Sequence, residues 1–243
     1  MDILGVRIDD VTYTEIGERV ERWLAGAGAH QIATVNPEFI MRARRDPAFF
    51  AALQQTDLNV PDGIGVLYAA RRLGRPLRER VAGIDLLRYL CAFAAERRWR
   101  IFLLGARPSV AERTAATLLQ NHPGLVIAGV YAGSPRRDER DEIVARLQAA
   151  RPQLVFVAYG APAQDIWLAE NLAALAQTHG VVGMGVGGSF DFIVGTQRRA
   201  PVWVQRIGFE WLYRLLREPK RWRRQLALPH FAALIMLEYF RLR

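Results

Sequence analysis

IFLLGARPSVAERTAATLLQNHPGLVIAGV, residues 101–130, contains a short apolar run, a longer segment with helical periodicity and a second apolar run. Residues 101–105 and 125–130 are rich in Ile, Leu and Val and have the length of strands, whereas residues 109–120 alternate polar and apolar side chains at helical spacing. Strands that are apolar throughout are typical of a sheet covered by helices on both faces. The segment therefore predicts a strand–helix–strand unit of a parallel sheet.

The same alternation extends to both sides of this unit. Further strands are predicted at residues 3–8, 31–35, 58–60, 154–160 and 181–186. Further helices are predicted at residues 14–23, 46–55, 62–73, 85–97, 138–150 and 162–177, and one more begins at residue 38. Residues 189–194 are predicted to be extended or turning. The sequence thus predicts an α/β class: a Rossmann-like, largely parallel sheet with helices on both faces.

The pattern changes near residue 200. Beyond it only helical patterns occur, interrupted by Pro219 and Pro229. We therefore expect an α/β core over residues 1–200 and a C-terminal helical appendage over residues 201–243.

Composition excludes several classes of protein. Of 243 residues, 51% are hydrophobic and 23% charged, which excludes a disordered chain. A single cysteine, Cys91, excludes a disulfide scaffold and a cysteine-based zinc site, and its place on an apolar helical face predicts a core residue. No segment has the length and apolarity of a membrane-spanning helix, and Asp2 stands where a secretory signal needs positive charge, so neither is expected.

The basic residues are concentrated in the appendage. The chain has 33 basic and 24 acidic residues, a net charge of +9, and residues 203–243 hold nine of the basic and three of the acidic ones. One explanation is codon usage that favours arginine. The other is a polyanionic partner: nucleic acid, an anionic membrane or a diphosphate.

Polar and glycine-rich loops follow five of the predicted strands. They lie at residues 34–38, 61–63, 105–108, 160–164 and 187–191. In an open parallel sheet the ligand binds beyond the carboxyl ends of the strands, and free N–H groups of the following helices suit phosphate. The loops predict a ligand site that includes Gly105, Gly187 and Gly188, although a simple turn also explains each glycine. Residues 183–188 fit G-x-G-x-x-G formally, but too late in the chain for a dinucleotide site.

Asp62 is the strongest catalytic candidate. It follows a buried strand at the ligand edge, where a carboxylate either caps the next helix or serves as a general base. Asp191 is expected to organise its turn and Asp85 to cap a helix. The four histidines are scattered and no D-x-D pair, P-loop or G-x-S-x-G motif occurs, so neither a metal site nor a cofactor is expected.

Five motifs resemble the WecG/TagA/CpsF family of bacterial glycosyltransferases. They are TVNPEFIMRARRDP (34–47), NVPDGIGVLYAARRLG (59–74), RVAGIDLL (80–87), GAPAQDIW (160–167) and GVGGSFDFIVGTQRRAP (185–201). The resemblance implies transfer of a sugar, typically of N-acetylmannosamine type, from a UDP-sugar to a polyprenyl-diphosphate-linked saccharide, with inversion and without metal. It implies a role in cell-surface polysaccharide synthesis. UDP-glucose or a UDP-uronic acid, used for exopolysaccharide, is the alternative donor.

The resemblance also implies roles for individual residues. Asp62 is similar to the family's general base, Thr34 and Asn36 to its active-site companions, and Arg80 and Gln164 to further pocket residues. Asp191 and the loop glycines are expected to contact substrate. Appendage arginines are implied to close over the UDP diphosphate; helical spacing would place four of them on one face: Arg214, Arg217, Arg221 and Arg224.

The implied location is the cytoplasmic face of the inner membrane, with the appendage bound peripherally to anionic lipid. Its aromatic and arginine residues suit a lipid headgroup interface. A basic nucleic-acid-binding α/β protein is the rival interpretation, although no nucleic-acid module is present. The sequence leaves open whether a homo-oligomer forms.

Overall fold

The computed structural model describes residues 1–176, 179–219 and 222–241. Its strands are β1 (Asp2–Ile3), β2 (Val6–Arg7), β3 (Gly28–Val35), β4 (Leu58–Pro61), β5 (Arg100–Gly105), β6 (Val126–Tyr131), β7 (Leu154–Ala158) and β8 (Gly180–Gly185). Strands β3 to β8 form one sheet in the order β4-β3-β8-β7-β5-β6, and all its neighbours pair in parallel. The predicted α/β class is confirmed.

The helices of the core alternate with these strands. They are α1 (Tyr13–Ala25), α2 (Pro37–Ala43), α3 (Pro47–Gln55), α4 (Ile64–Arg72), α5 (Gly83–Arg97), α6 (Val110–Asn121), α7 (Arg140–Ala150), α8 (Ala163–Asn171) and α9 (Ser189–Ile193). The appendage adds α10 (Val202–Arg206), α11 (Glu210–Arg217), α12 (Trp222–Gln225) and α13 (Ala227–Arg241).

Side chains that alternate along the strands build a core on each face of the sheet. Ile101 and Leu103 of β5 join one apolar cluster with helices α1, α5 and α6, whereas Phe102 and Leu104 join another with α7 and α8. On that second face, β3 packs against α2, α3 and α4. Because successive strand residues point to opposite faces, an apolar strand is buried on both.

Adjacent strands β3 and β8 lead to helices on opposite faces. Helix α2, after β3, belongs to the second face, whereas Phe190 of α9, after β8, belongs to the first. The loops therefore diverge and leave a crevice at the carboxyl ends of the two strands, which is where ligands bind in open α/β sheets.

Several local predictions were wrong. The single strand predicted at residues 3–8 is instead a two-stranded hairpin over residues 2–7, because Leu4 and Gly5 both have positive φ and reverse the chain. Residues 189–193 are helical rather than extended. Helix α1 begins one residue after Thr12, which forms a capping box with Glu15, and not at Thr14.

Pro229 does not interrupt the last helix. It lies in the first turn of α13, where the backbone N–H groups have no partner inside the helix, so proline is tolerated. Phe231 and Ile235 of α13 are buried in the cluster that contains Ile40 and Val66. The last helix is thus packed on the core. Among the described residues, no helix combines the length and apolarity needed to cross a bilayer.

Candidate active site

One cavity of about 1470 Å³ opens at the carboxyl ends of β3, β4, β7 and β8. The loops after these strands form one side of it, and helices α11, α12 and α13 of the appendage form the other. Nine of the predicted site residues line it: Thr34, Asn36, Asp62, Arg80, Gln164, Gly187, Gly188, Arg214 and Arg224. The core and the appendage therefore enclose a common space.

Asp62 is held by backbone hydrogen bonds at the end of β4. Its N–H donates to the carbonyl of Val35 (2.8 Å), and the carbonyl of the preceding Pro61 accepts from the N–H of Val81 (2.9 Å). The N-cap of helix α4 is Gly63, with φ of 89°, and no side chain caps this helix. The interpretation of Asp62 as a helix cap was therefore wrong, and its carboxyl group lines the cavity instead.

Burial raises the pKa of Asp62 to about 6. The negative charge of Glu210 adds to this rise, whereas Arg80, the Gly83 N–H and Arg199 oppose it. A carboxyl group with a pKa near neutrality is suited to accept a proton during a reaction, because it is ionised at pH 7 and still basic.

Glu210 of α11 connects two arginines beside this carboxyl group. Its Oε1 lies 3.0 Å from Nε of Arg199 and its Oε2 3.8 Å from Nη1 of Arg80. Arg199 also binds both carboxyl oxygens of Asp85, at 2.5 and 2.8 Å. Asp85 is thus an ion-pair partner and not a helix cap, since the N-cap of α5 is Ala82.

Thr34 and Asn36 stand at the end of β3. Asn36 caps helix α2, its Oδ1 accepting from the N–H of Phe39 (3.0 Å), so its amide NH₂ group is left for the cavity. A β-carbon at Gly83 would lie 3.1 Å from Oγ1 of Thr34. A glycine at this position thus lets the first turn of α5 approach the buried threonine.

Gln164 links two loops of the cavity wall. Its Oε1 accepts from the N–H of Gly160 (3.1 Å) and from the N–H of Gly187 (2.9 Å), and its side chain is buried. The Gly187 N–H is therefore already used within the protein. The expectation that this N–H holds a phosphate is not supported; Gln164 fixes the loop instead.

Two predicted substrate-binding residues of the α/β core, Gly105 and Asp191, do not line the cavity. Gly105 ends β5, and a β-carbon there would lie 2.9 Å from the ring of Tyr159. Asp191 binds Arg107 (2.8 Å) and the hydroxyl of Thr196 (3.0 Å). Asp191 therefore organises its own turn, which was one of its two expected roles, and the expected contact with substrate is not supported.

Three of the four predicted appendage arginines belong to the described residues, and these three lie in different places. Arg214 stacks over Phe192 and lies near Gly188, with Nη2 3.5 Å from the position a β-carbon would occupy there. Arg224 lines the cavity beside Gln225. Arg217 does not; it lies over the ring of Tyr213. Arg221 lies outside the described residues. A common face required one helix to continue past Pro219, and this condition is not met, because helix α11 ends at Arg217.

Sequence reasoning missed Arg199 and Glu210. Arg199 belongs to the quoted motif 185–201, so the motif was a signal for it. Glu210 carries no local signal, since only the packing of α11 against the core brings it to Arg80 and Arg199. In the part of the chain that the structure describes, no group of three or more His, Cys, Asp or Glu side chains is placed to hold a metal ion.

A family model described as glycosyl transferase WecG/TagA/CpsF matches residues 1–243. The chain belongs to this family. The resemblance carried by the five motifs is thereby confirmed, and the cavity is the candidate active site of a glycosyltransferase.

Curated relatives of this glycosyltransferase are named N-acetylglucosaminyldiphosphoundecaprenol N-acetyl-beta-D-mannosaminyltransferase. The protein of Bacillus spizizenii is 37% identical over 205 residues, covering 84% of this chain and 78% of the relative. That of Bacillus subtilis is 36% identical over 207 residues, covering 85% and 79%. That of Staphylococcus aureus is 33% identical over 233 residues, covering 95% and 90%.

Proposed function

We propose that this glycosyltransferase transfers N-acetylmannosamine from a UDP-sugar to an N-acetylglucosamine linked through diphosphate to a polyprenyl lipid, with inversion and without a metal ion. The names of the relatives support the sugar and the acceptor. The observation that carries the mechanism is the position of Asp62, a carboxyl group of raised pKa on the wall of the cavity.

Asp62 is the general base of this reaction. The acceptor hydroxyl oxygen bonds to the anomeric carbon of the donor sugar while the bond from that carbon to the UDP oxygen breaks. The electron pair leaves with UDP, and the hydroxyl proton passes to Asp62. A single displacement of this kind inverts the anomeric carbon.

Arginines stabilise the leaving diphosphate. UDP gains negative charge in the transition state, and fixed positive groups aimed at that charge lower the barrier. Arg214 lies beside Gly188 at the carboxyl end of β8 and is placed to bind the diphosphate. Arginine suits a diphosphate because its planar fork donates two hydrogen bonds at once.

The appendage brings the site to the membrane. It exposes large apolar side chains, among them Trp203, Leu216, Trp222 and Phe240. Arginines and exposed aromatic residues together favour binding to an anionic bilayer surface. We place the enzyme peripherally on the cytoplasmic face of the inner membrane, where UDP-sugars are available, with no role in nucleic-acid binding.

The test is a transfer assay with a farnesyl-diphosphate-linked N-acetylglucosamine as acceptor. We expect UDP-N-acetylmannosamine to be used in preference to UDP-glucose and a UDP-uronic acid, with activity retained in EDTA. Asp62→Asn should lose about 10²–10⁴-fold in kcat, because an amide does not accept the proton.

The matched control is Asp141→Asn, which changes an exposed aspartate far from the cavity. Full activity of Asp62→Asn would exclude the mechanism, and loss of activity in EDTA restored by Mg²⁺ would exclude metal independence. Preference for another UDP-sugar would show that the transferred sugar is not N-acetylmannosamine. Salt-sensitive binding to DNA without sugar transfer would favour the nucleic-acid interpretation.

A further inference from the structure

The cavity extends well beyond the residues assigned above. Its far part lies between the corner of α2 and α3 on one side and α12 and α13 on the other. The whole cavity measures about 1470 Å³. Sites for a single small ligand commonly occupy about 300–1,000 Å³. The volume therefore has room for a second ligand besides the sugar nucleotide.

This far part joins an apolar surface to a basic one. Apolar side chains of both helix pairs contribute to it: Met41, Phe49, Leu228, Phe231 and Ile235. Four arginines also line it, two from the end of α2 and the turn after it, and two from α12: Arg42, Arg45, Arg223 and Arg224. A ligand that fits both surfaces has an apolar chain and an anionic group.

The carboxylates among these residues are already engaged. Glu38 accepts a hydrogen bond from Nε2 of Gln225 (3.2 Å). Asp46 caps helix α3 through the N–H of Phe49 (3.2 Å) and pairs with Arg42 (3.4 Å).

Three of the arginines remain without an acidic partner. Arg45, Arg223 and Arg224 form no ion pair with any residue that the structure describes. The excess positive charge therefore calls for an anion from outside the chain.

We propose that this far part binds the polyprenyl diphosphate of the acceptor. Arg45, in the turn after α2, and Arg223 and Arg224 of α12 hold its diphosphate, and the apolar side chains between α2–α3 and α13 hold the first isoprene units. The inference rests on the proposed function for the identity of the acceptor. It adds a division of the cavity: the donor diphosphate at Gly188 and Arg214, and the acceptor diphosphate at Arg45 and α12.

The sequence supplies a matched pair of variants for the anionic part. Arg44 and Arg45 are adjacent and exposed, but only Arg45 lines the cavity. We expect Arg45→Ala to raise KM for farnesyl-diphosphate-linked N-acetylglucosamine about tenfold, the effect of losing one charged hydrogen bond. It should leave KM for the UDP-sugar unchanged. Arg44→Ala should change neither KM more than about twofold, as is usual for surface substitutions.

A second pair tests the apolar part. Ala232 and Ala233 of α13 are both exposed, and only Ala232 lines the cavity. Ala232→Trp should obstruct the isoprene chain and raise KM for the farnesyl acceptor, whereas Ala233→Trp should not. Since both positions are exposed, neither change disturbs the packing of the helix.

Direct binding separates this inference from the proposed function. Full-length protein is titrated with the farnesyl-diphosphate acceptor, and separately with phosphatidylglycerol vesicles that contain no acceptor. Weaker acceptor binding by Arg45→Ala, with Arg44→Ala as wild type, supports the inference even if no sugar is transferred.

Three results overturn it. One is equal acceptor binding by both arginine variants. Another is a rise in KM for the UDP-sugar instead of the acceptor. The third is loss of vesicle binding by Arg45→Ala with acceptor binding unchanged, which makes Arg45 a contact for lipid headgroups.

Discussion

At the scale of single residues, the site depends on how its charges are placed. Asp62 is surrounded by Arg80 and Arg199, which favour its ionised form, and by Glu210, which together with burial disfavours it. Tyr13 also lies within electrostatic range of Asp62. A pKa of about 6 for Asp62 results from this balance. The ionised form of Asp62, which is the proposed general base, is therefore expected to be lost as the pH falls through 6.

Glu210→Gln is predicted to move the acid limb of the pH profile. Removing the negative charge of Glu210 lowers the pKa of Asp62, so activity should persist to lower pH. The weaker base should reduce kcat at neutral pH by about 2- to 10-fold. The measurement is kcat/KM from pH 5 to 8 for wild type, Glu210→Gln and the exposed control Glu170→Gln. An acid limb that does not move would show that Glu210 only docks α11.

Asp165 is the second carboxyl group with a raised pKa. It is fully buried in α8, its two oxygens accept no hydrogen bond of good geometry from the described residues, and the neighbouring Gln164 side chain lowers its pKa only in part. Burial raises its pKa to about 7. Between pH 4 and 7 the folded chain therefore keeps a proton that the unfolded chain releases, so this group makes the fold less stable as the pH rises through that range.

Asp165→Asn is predicted to stabilise the protein at pH 8. The neutral amide avoids ionising a buried group, and the gain should be roughly 1–4 kcal/mol, since a pKa unit corresponds to about 1.4 kcal/mol. At pH 4 the difference from wild type should vanish. Urea unfolding at pH 4 and pH 8 measures the difference in the free energy of unfolding. The control is Asp141→Asn, which changes an exposed aspartate. A difference that does not depend on pH would contradict the prediction.

At the scale of elements, helix α13 has two faces with separate tasks. Phe231 and Ile235 are buried against α2 and α4, while Leu237 and Phe240 are exposed. The buried face joins the appendage to the core and thereby forms one wall of the cavity. The exposed face is free for contact with a bilayer.

Phe231→Ala is predicted to destabilise the protein by about 3–5 kcal/mol, because it removes a buried aromatic side chain and leaves a void. Leu237→Ala, on the exposed face of the same helix, should change the free energy of unfolding by less than about 0.5 kcal/mol. The free energies of unfolding of the two variants, measured by urea denaturation, are compared with that of the wild type. Equal stabilities would mean that α13 does not pack on the core in solution.

At the scale of the whole molecule, two features suit an enzyme that works at a membrane. One is the proposed lipid-linked acceptor, and the other is the set of apolar residues exposed on the appendage. Large apolar side chains are exposed in several helices of the appendage, on the same part of the chain that holds the excess positive charge. A surface of this kind binds lipid through apolar insertion and through attraction to anionic headgroups.

The triple change Trp203→Ala, Leu216→Ala and Trp222→Ala is predicted to weaken binding to phosphatidylglycerol vesicles at least about tenfold, because apolar burial contributes a large part of such binding. The control is Leu119→Ala, which changes an exposed leucine of α6, outside the appendage. Vesicle sedimentation at two salt concentrations separates the apolar from the electrostatic part. Unchanged binding of the triple variant would place the membrane surface elsewhere.

The sequence by itself determined the fold class and which loops of the core line the candidate site. Short apolar strands alternating with helical periodicity predict a parallel sheet, because that pattern buries both sheet faces. The carboxyl ends of such strands meet at one edge, so Thr34, Asn36, Asp62 and Gln164 are predicted to lie together, and they line one cavity. These inferences succeed because they depend on periods of two and 3.6 residues along the chain.

Only the tertiary structure decided how the appendage meets the core. The contact of Glu210 with Arg80 spans 130 residues of sequence and follows from the docking of α11, which no local pattern encodes. The packing of α13 against α2 likewise brings Arg45 and the residues of α12 to one cavity. Long-range packing fixes these positions, because side chains distant in sequence come together only when apolar surfaces of whole helices are buried.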